Sequence, residues 1–134
     1  MPTQCDACGR PLVRVAVPSA LQEYAPENAA TVGSCPRCLR TYPVSDDDVA
    51  DSEGADDLPT PIPDGEGGVA LLLALGLLDS LATNRAAIQS LIERAEAAGA
   101  DVFLTLDRLA ADVSVEAHVD LERRRRQLES LLEY

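Results

Sequence analysis

Lysine and tryptophan are absent from this chain of 134 residues, and histidine and phenylalanine occur once each, as His118 and Phe103. A single histidine with no second His, Cys or Asp arranged around it in sequence makes a poor ligand or general base, so an ordinary satisfied or half-exposed side chain is expected. Long apolar runs are also missing. Val69 to Leu78 is ten residues, closed in by Glu66 and Asp79, and that is too short to span a bilayer. Met1-Pro2-Thr3-Gln4 leads into the first cysteine with no apolar stretch, so a soluble cytoplasmic protein is expected. No phosphate-cradling glycine loop, serine nucleophile turn or pair of spaced carboxylates occurs, and an enzyme is not expected.

What the chain has in excess is acid. Its 23 Asp and Glu against 11 basic residues, all Arg, give a net charge of −12. A dense carboxylate surface stays hydrated in molar salt, where the Debye length falls to about 3 Å and self-repulsion costs little. Together with the absence of Lys, this points to a salt-accumulating halophilic archaeon. The same balance argues against a protein that relies on phosphate attraction to hold nucleic acid.

Four cysteines form two C-x2-C pairs, Cys5-Asp6-Ala7-Cys8-Gly9 and Cys35-Pro36-Arg37-Cys38. Each spacing lets two thiolates from one tight turn grip the same ion, and two turns supply a tetrahedral set of four sulfurs. Gly9 suits a turn whose backbone folds back toward sulfur, and Pro36 helps set the other turn. The pattern is that of a zinc ribbon, with Cys5, Cys8, Cys35 and Cys38 as ligands of Zn2+. Two alternatives stay open at this point. One is a pair of disulfides, each closing so short a loop that it would stabilise little. The other is iron in a rubredoxin-like electron carrier, for which the aromatic surroundings, Tyr24 and Tyr42, are thin. Leu39 stands where a second glycine is expected after Cys38.

The order of elements predicts an α+β protein in three parts. Residues 1–45 read as the ribbon, with strands over Leu12–Val17, Ala30–Ser34 and Leu39–Val44 and a short helical turn begun by Ser19. Residues 46–66 hold nine acids and no base among Pro, Gly and Ser, and read as a flexible acidic linker. Residues 67–134 read as a bundle of three or four helices. The first, Val69–Leu81, is apolar nearly all round and should be central, with Gly76 where another helix crosses closely. The second runs from a Thr83 or Asn84 cap to Ala98, burying Ile88, Leu91, Ile92 and Ala95 and stopping at Gly99. Asp101 should cap a third that turns Val102, Phe103, Leu106 and Leu109 inward, and Ser114 a fourth with the stripe His118, Leu121, Arg125, Leu128 and Leu132. Asp79 is expected to form a structural ion pair near Asn84 and Arg85. Of Arg123 to Arg126, Arg125 should lie toward the apolar seam and Arg123 and Arg126 in solvent.

The cysteine pairs and the Lys-free acidic composition resemble the haloarchaeal small CPxCG-related zinc-finger proteins, whose members mostly have no assigned function. Cys35-Pro36-Arg37-Cys38 keeps that family's Pro and Cys5-Asp6-Ala7-Cys8-Gly9 its Gly. The resemblance covers about a third of the chain, and implies zinc and a regulatory or adaptor role. The leading expectation is thus a non-enzymatic zinc-binding adaptor that meets a protein partner, with a homodimer through the helical bundle as one arrangement. The alternative is a nucleic-acid-associated regulator using Arg10, Arg14, Arg37 and Arg40, the ribbon's local excess of base, and a rubredoxin-like carrier comes third. Whether the ribbon docks on the helices is left open by the sequence.

Overall fold

The computed structural model describes residues 4–44, 58–59, 61–63 and 65–132, and most of the acidic stretch 46–66 lies outside them. The protein is α+β. Three short strands, β1 (Val13–Ala16), β2 (Thr31–Ser34) and β3 (Thr41–Pro43), form an antiparallel sheet in the order β1-β2-β3. Val13 pairs with Ser34 and Ala16 with Thr31 on one side of β2, and Val32 pairs with Pro43 and Ser34 with Thr41 on the other. Four helices follow: α1 (Gly65–Leu77), α2 (Arg85–Ala97), α3 (Val102–Ala111) and α4 (Leu121–Leu132).

Helix α1 is the centre, as its sequence demands. Ala70 through Leu75 are all buried, which a helix achieves only when neighbours cover every side. It pairs mainly with α2, while α3 pairs with α4. Helix α2 buries Ile88, Leu91, Ile92 and Ala95, the i, i+3, i+4, i+7 stripe that the sequence predicts. It ends in a Schellman arrangement at Gly99, whose φ is +98°, with Ala100 N donating to Ala95 O at 2.9 Å. Asp101 caps α3 through its side chain, accepting from Leu104 N at 3.1 Å. On α4, Arg123 and Arg126 are exposed and Arg125 is drawn inward. It bonds Glu129 Oε1 at 2.7 Å, lies 2.6 Å from Asp107 Oδ1, and stacks over Phe103 at 5.3 Å.

The sheet packs on the helices. One apolar cluster unites Val17, Leu21, Ala25, Val32 and Leu39 with the leucines of α1 and the buried faces of the other helices. A second, small cluster gathers Cys5, Leu12, Cys35, Cys38 and Val44.

Several expectations are corrected. Helix α1 begins at Gly65, and Ile62 is buried in the main core with Leu58 packed on it, so the apolar end of the stretch read as linker belongs to the folded body. Gly76 makes room for a strand where a helix was expected, because a Cβ there would collide with Thr41 of β3. Asp79 is exposed and forms no ion pair among the described residues. At that helix end it is Asn84 that finds a partner, donating from Nδ2 to Leu77 O at 3.5 Å.

The largest departure is at Ser114, which caps no helix. Asp112 Oδ1 accepts from both Ser114 N and Ser114 Oγ, and residues 112–120 run as an irregular strap before α4 begins at Leu121. Asp120 is the cap there, accepting from Arg123 N at 3.1 Å. The reason is visible in the side chains. Val115, Ala117 and Val119 pack on the core while Ser114, Glu116 and Asp120 face solvent, an alternation of period 2 that suits extended chain. His118 therefore leaves the α4 stripe, in which Leu121 and Leu128 are buried, and the side chain of Leu132 lies outside what the structure describes.

Candidate metal centre

The two cysteine turns are built alike. In the first, Gly9 N donates to Cys5 O at 2.7 Å and Cys5 N to Arg10 O at 2.9 Å; in the second, Leu39 N donates to Cys35 O and Cys35 N to Arg40 O, both at 2.9 Å. Both turns close through a left-handed residue, Gly9 at φ +71° and Leu39 at φ +67°. For glycine that conformation is free, whereas for leucine it costs about 1–2 kcal/mol. Leu39 is fully buried in the main apolar cluster, and burying such a side chain contributes about 1.5–3 kcal/mol. The helical core thus offsets the strain of a knuckle that lacks its glycine.

The turns bring the four sulfurs within 4.8 Å of one another, with Cys5 Sγ and Cys38 Sγ 3.5 Å apart. Four sulfurs about 2.3 Å from a common ion would stand about 3.8 Å apart, so the set fits a tetrahedral ion with small adjustment. None of the four is joined in a disulfide. Cys5, Cys35 and Cys38 are buried, and Cys8 is half-buried on the outer side.

The surroundings favour thiolate at one position and resist it at others. Burial opposes ionisation of Cys5, but the Tyr42 hydroxyl, 3.4 Å from its sulfur, and the amides of Cys8 and Ala7 outweigh it and bring the thiol down to about 6. Burial pushes Cys38 up to about 12 against hydrogen bonds from Arg40, and raises Cys8 as well, with Cys35 and Cys5 adding repulsion. Several thiols so close cannot all carry charge unaided. A bound cation removes that conflict, since it supplies the opposite charge in their midst.

The second turn is further held from outside by the strap. Glu116 N donates to Arg37 O at 2.8 Å and His118 N to Cys38 O at 2.9 Å, while the Glu116 carboxylate accepts from the Arg37 guanidinium, from Nε at 2.8 Å. His118 also ties the strap to α1: its Nε2 lies 3.0 Å from Leu75 O, one of the carbonyls left open at the end of that helix, and a carbonyl partner makes this nitrogen the donor. His118, expected as a satisfied or half-exposed side chain, is thus a helix-end staple.

The four arginines of the ribbon go to different places. Arg10 and Arg37 border one depression with Pro36, Leu58, Pro59, Asp112 and Ser114, Arg14 lines another with Pro63 and Glu66, and Arg40 is turned to Cys38. Tyr42 and the strap are the parts of the site that sequence reasoning missed. The signals were there, in a tyrosine four residues beyond Cys38 and in the alternating pattern of residues 115–120.

Among the described residues, no helix is long and apolar enough to cross a membrane. The profile of DUF6276, a family of unknown function, matches residues 4–132. No curated protein and no solved structure matches the chain.

Proposed function

The chain belongs to DUF6276, and within that family of unknown function we propose that it is a zinc-binding, non-enzymatic adaptor or regulator that acts through contact with another protein. The observation that carries this reading is the convergence of four cysteine sulfurs from two turns of matching backbone. A set of four thiolates completes the coordination of a zinc ion and leaves no position for water or substrate, which is how structural sites differ from catalytic ones. Zinc is preferred to iron because the aromatic group bonded to the sulfurs among the described residues is the Tyr42 hydroxyl, a thin aromatic surrounding for a redox iron. The nucleic-acid reading is less well supported, since Arg37 is paired with Glu116 and Arg40 is bonded to Cys38. The acidic, Lys-free composition supports a cytoplasmic protein of a salt-accumulating archaeon.

The test is the metal content of protein purified natively in high salt, by elemental analysis with an absorption spectrum. About one zinc per chain and no colour is the expected result. A red protein with sulfur-to-iron charge-transfer bands would make it an electron carrier, and a metal-free protein with two disulfides would remove the site altogether.

A further inference from the structure

The two knuckles share one backbone design, yet the strap covers only the second. Superposing them residue for residue sets Ala7 against Arg37, Cys8 against Cys38 and Arg10 against Arg40. Arg37 O and Cys38 O accept from Glu116 N and His118 N, two amides separated by one residue on an extended segment. The matching carbonyls of the first knuckle, Ala7 O and Cys8 O, accept no hydrogen bond among the described residues. Burial follows the same division. Cys38 is 2 % exposed under the strap, whereas Cys8 is half-buried and Ala7, Gly9 and Arg10 are exposed.

From this internal comparison we infer that the outer edge of the first knuckle is a docking site for an extended, acidic segment of a partner protein, held as the strap holds the second knuckle. Such a segment would donate alternate backbone amides to Ala7 O and Cys8 O. Arg37, which holds the strap's Glu116, is matched in the first knuckle by Ala7, so the segment's carboxylate would instead meet Arg10, whose side chain is exposed and makes no ion pair among the described residues. Beside the knuckle, a depression of about 270 Å³ lined by Pro36, Leu58 and Pro59 together with Asp112 and Ser114 has room for a side chain of the same segment. Paired backbone donors give such a contact its affinity and the flanking charge its preference. The inference rests on the metal-binding adaptor reading and names the surface and the partner chemistry through which the adaptor would act.

The strap supplies the probe. A synthetic peptide reproducing residues 112–118 is titrated into the isotope-labelled full chain, after elemental analysis has confirmed about one metal per chain. The expected result is saturable change of the carbonyl and amide resonances of Ala7 to Arg10, with half-saturation near ~1 mM. Methylating the peptide's Glu and His amides should weaken binding about tenfold, because the paired donors are gone. Arg10→Glu should weaken it about fivefold with metal content unchanged. Resonances of Ala7 to Arg10 that stay still up to roughly 5 mM peptide would overturn the inference, as would changes confined to Arg37 and Cys38, the signature of exchange with the strap. Either result in metal-loaded protein leaves the metal site standing, and a metal-free chain would fail the earlier elemental test instead.

Discussion

The first and second knuckles have matching hydrogen bonds and the same left-handed closing conformation, but the outer edge of the first, Ala7 to Arg10, lies at the surface while the second is enclosed. Gly9 closes the first at the surface, and a Cβ added there would meet nothing within 4 Å. Leu39 closes the second with its side chain deep among the helices, and the strap seals its other side. One copy of the motif thus lies partly at the surface, and the other joins the cysteine cluster to the helical core.

That asymmetry can be broken in order of severity. Stripping the metal with a strong chelator should have the largest effect. Loss of the ion frees both turns, and because Leu39 ties the second to α1, the helical circular-dichroism signal should melt at least roughly 10 °C lower. A helical transition that does not move would mean that the helices stand without the knuckle. Next in size is Leu39→Ala, which keeps the backbone strain and loses the buried side chain, at a cost of about 2–5 kcal/mol in denaturant unfolding. Leu39→Gly removes the strain too, and should recover about 1 kcal/mol relative to Ala. If Gly were the worse of the two, the left-handed conformation would not be the source of the cost.

Gly76→Ala should destabilise by about 1–3 kcal/mol, since the added methyl meets Thr41 across the join between sheet and helix. Adding Thr41→Ala should return part of that loss, and additive effects would sever the contact.

The fourth test is one of pH. Burial holds His118 below its ordinary pKa of 6.5, with Arg40 acting in the same direction and Asp79 and the Leu75 carbonyl against it. The imidazole is thus neutral in the fold, and the unfolded chain takes up a proton first as pH falls. Its contribution is complete above pH 6.5 and is lost as pH drops through that value toward the lower folded one. The stability difference between wild type and His118→Gln should be level above neutrality and change below it. A difference independent of pH would show that the ring is not buried as described.

Much of this was legible in the sequence where one local pattern met one physical demand. The cysteine spacing foretold the sulfur cluster, the apolar run after Glu66 foretold a buried central helix, and Asp101 and Gly99 marked helix ends. What stayed hidden depended on distant partners. Ser114 has the chemistry of a cap, and the residues after it include good helix formers, so the period-2 burial of Val115, Ala117 and Val119 became decisive only with a knuckle alongside to accept the amides of the intervening Glu116 and His118. Leu39 looked like a departure from the knuckle pattern because the apolar cluster that accommodates it draws in helices made much later in the chain. Gly76 announced a close approach correctly, but a glycine does not say whether a helix or a strand will come near.

The strap's bonds to the knuckle join residues 79 and 80 positions apart, Arg37 to Glu116 and Cys38 to His118. Closing a loop of that length costs about 4 kcal/mol of chain entropy beyond a constant term. On the ribosome, residues 37 and 38 emerge long before their partners exist, and the apolar faces of Val32 and Leu39 wait uncovered until α1 has been made. Completion of the native structure is consequently an event of the finished chain, and a truncation before residue 115 leaves a nascent product with both cysteine pairs present but the seal on the second one missing.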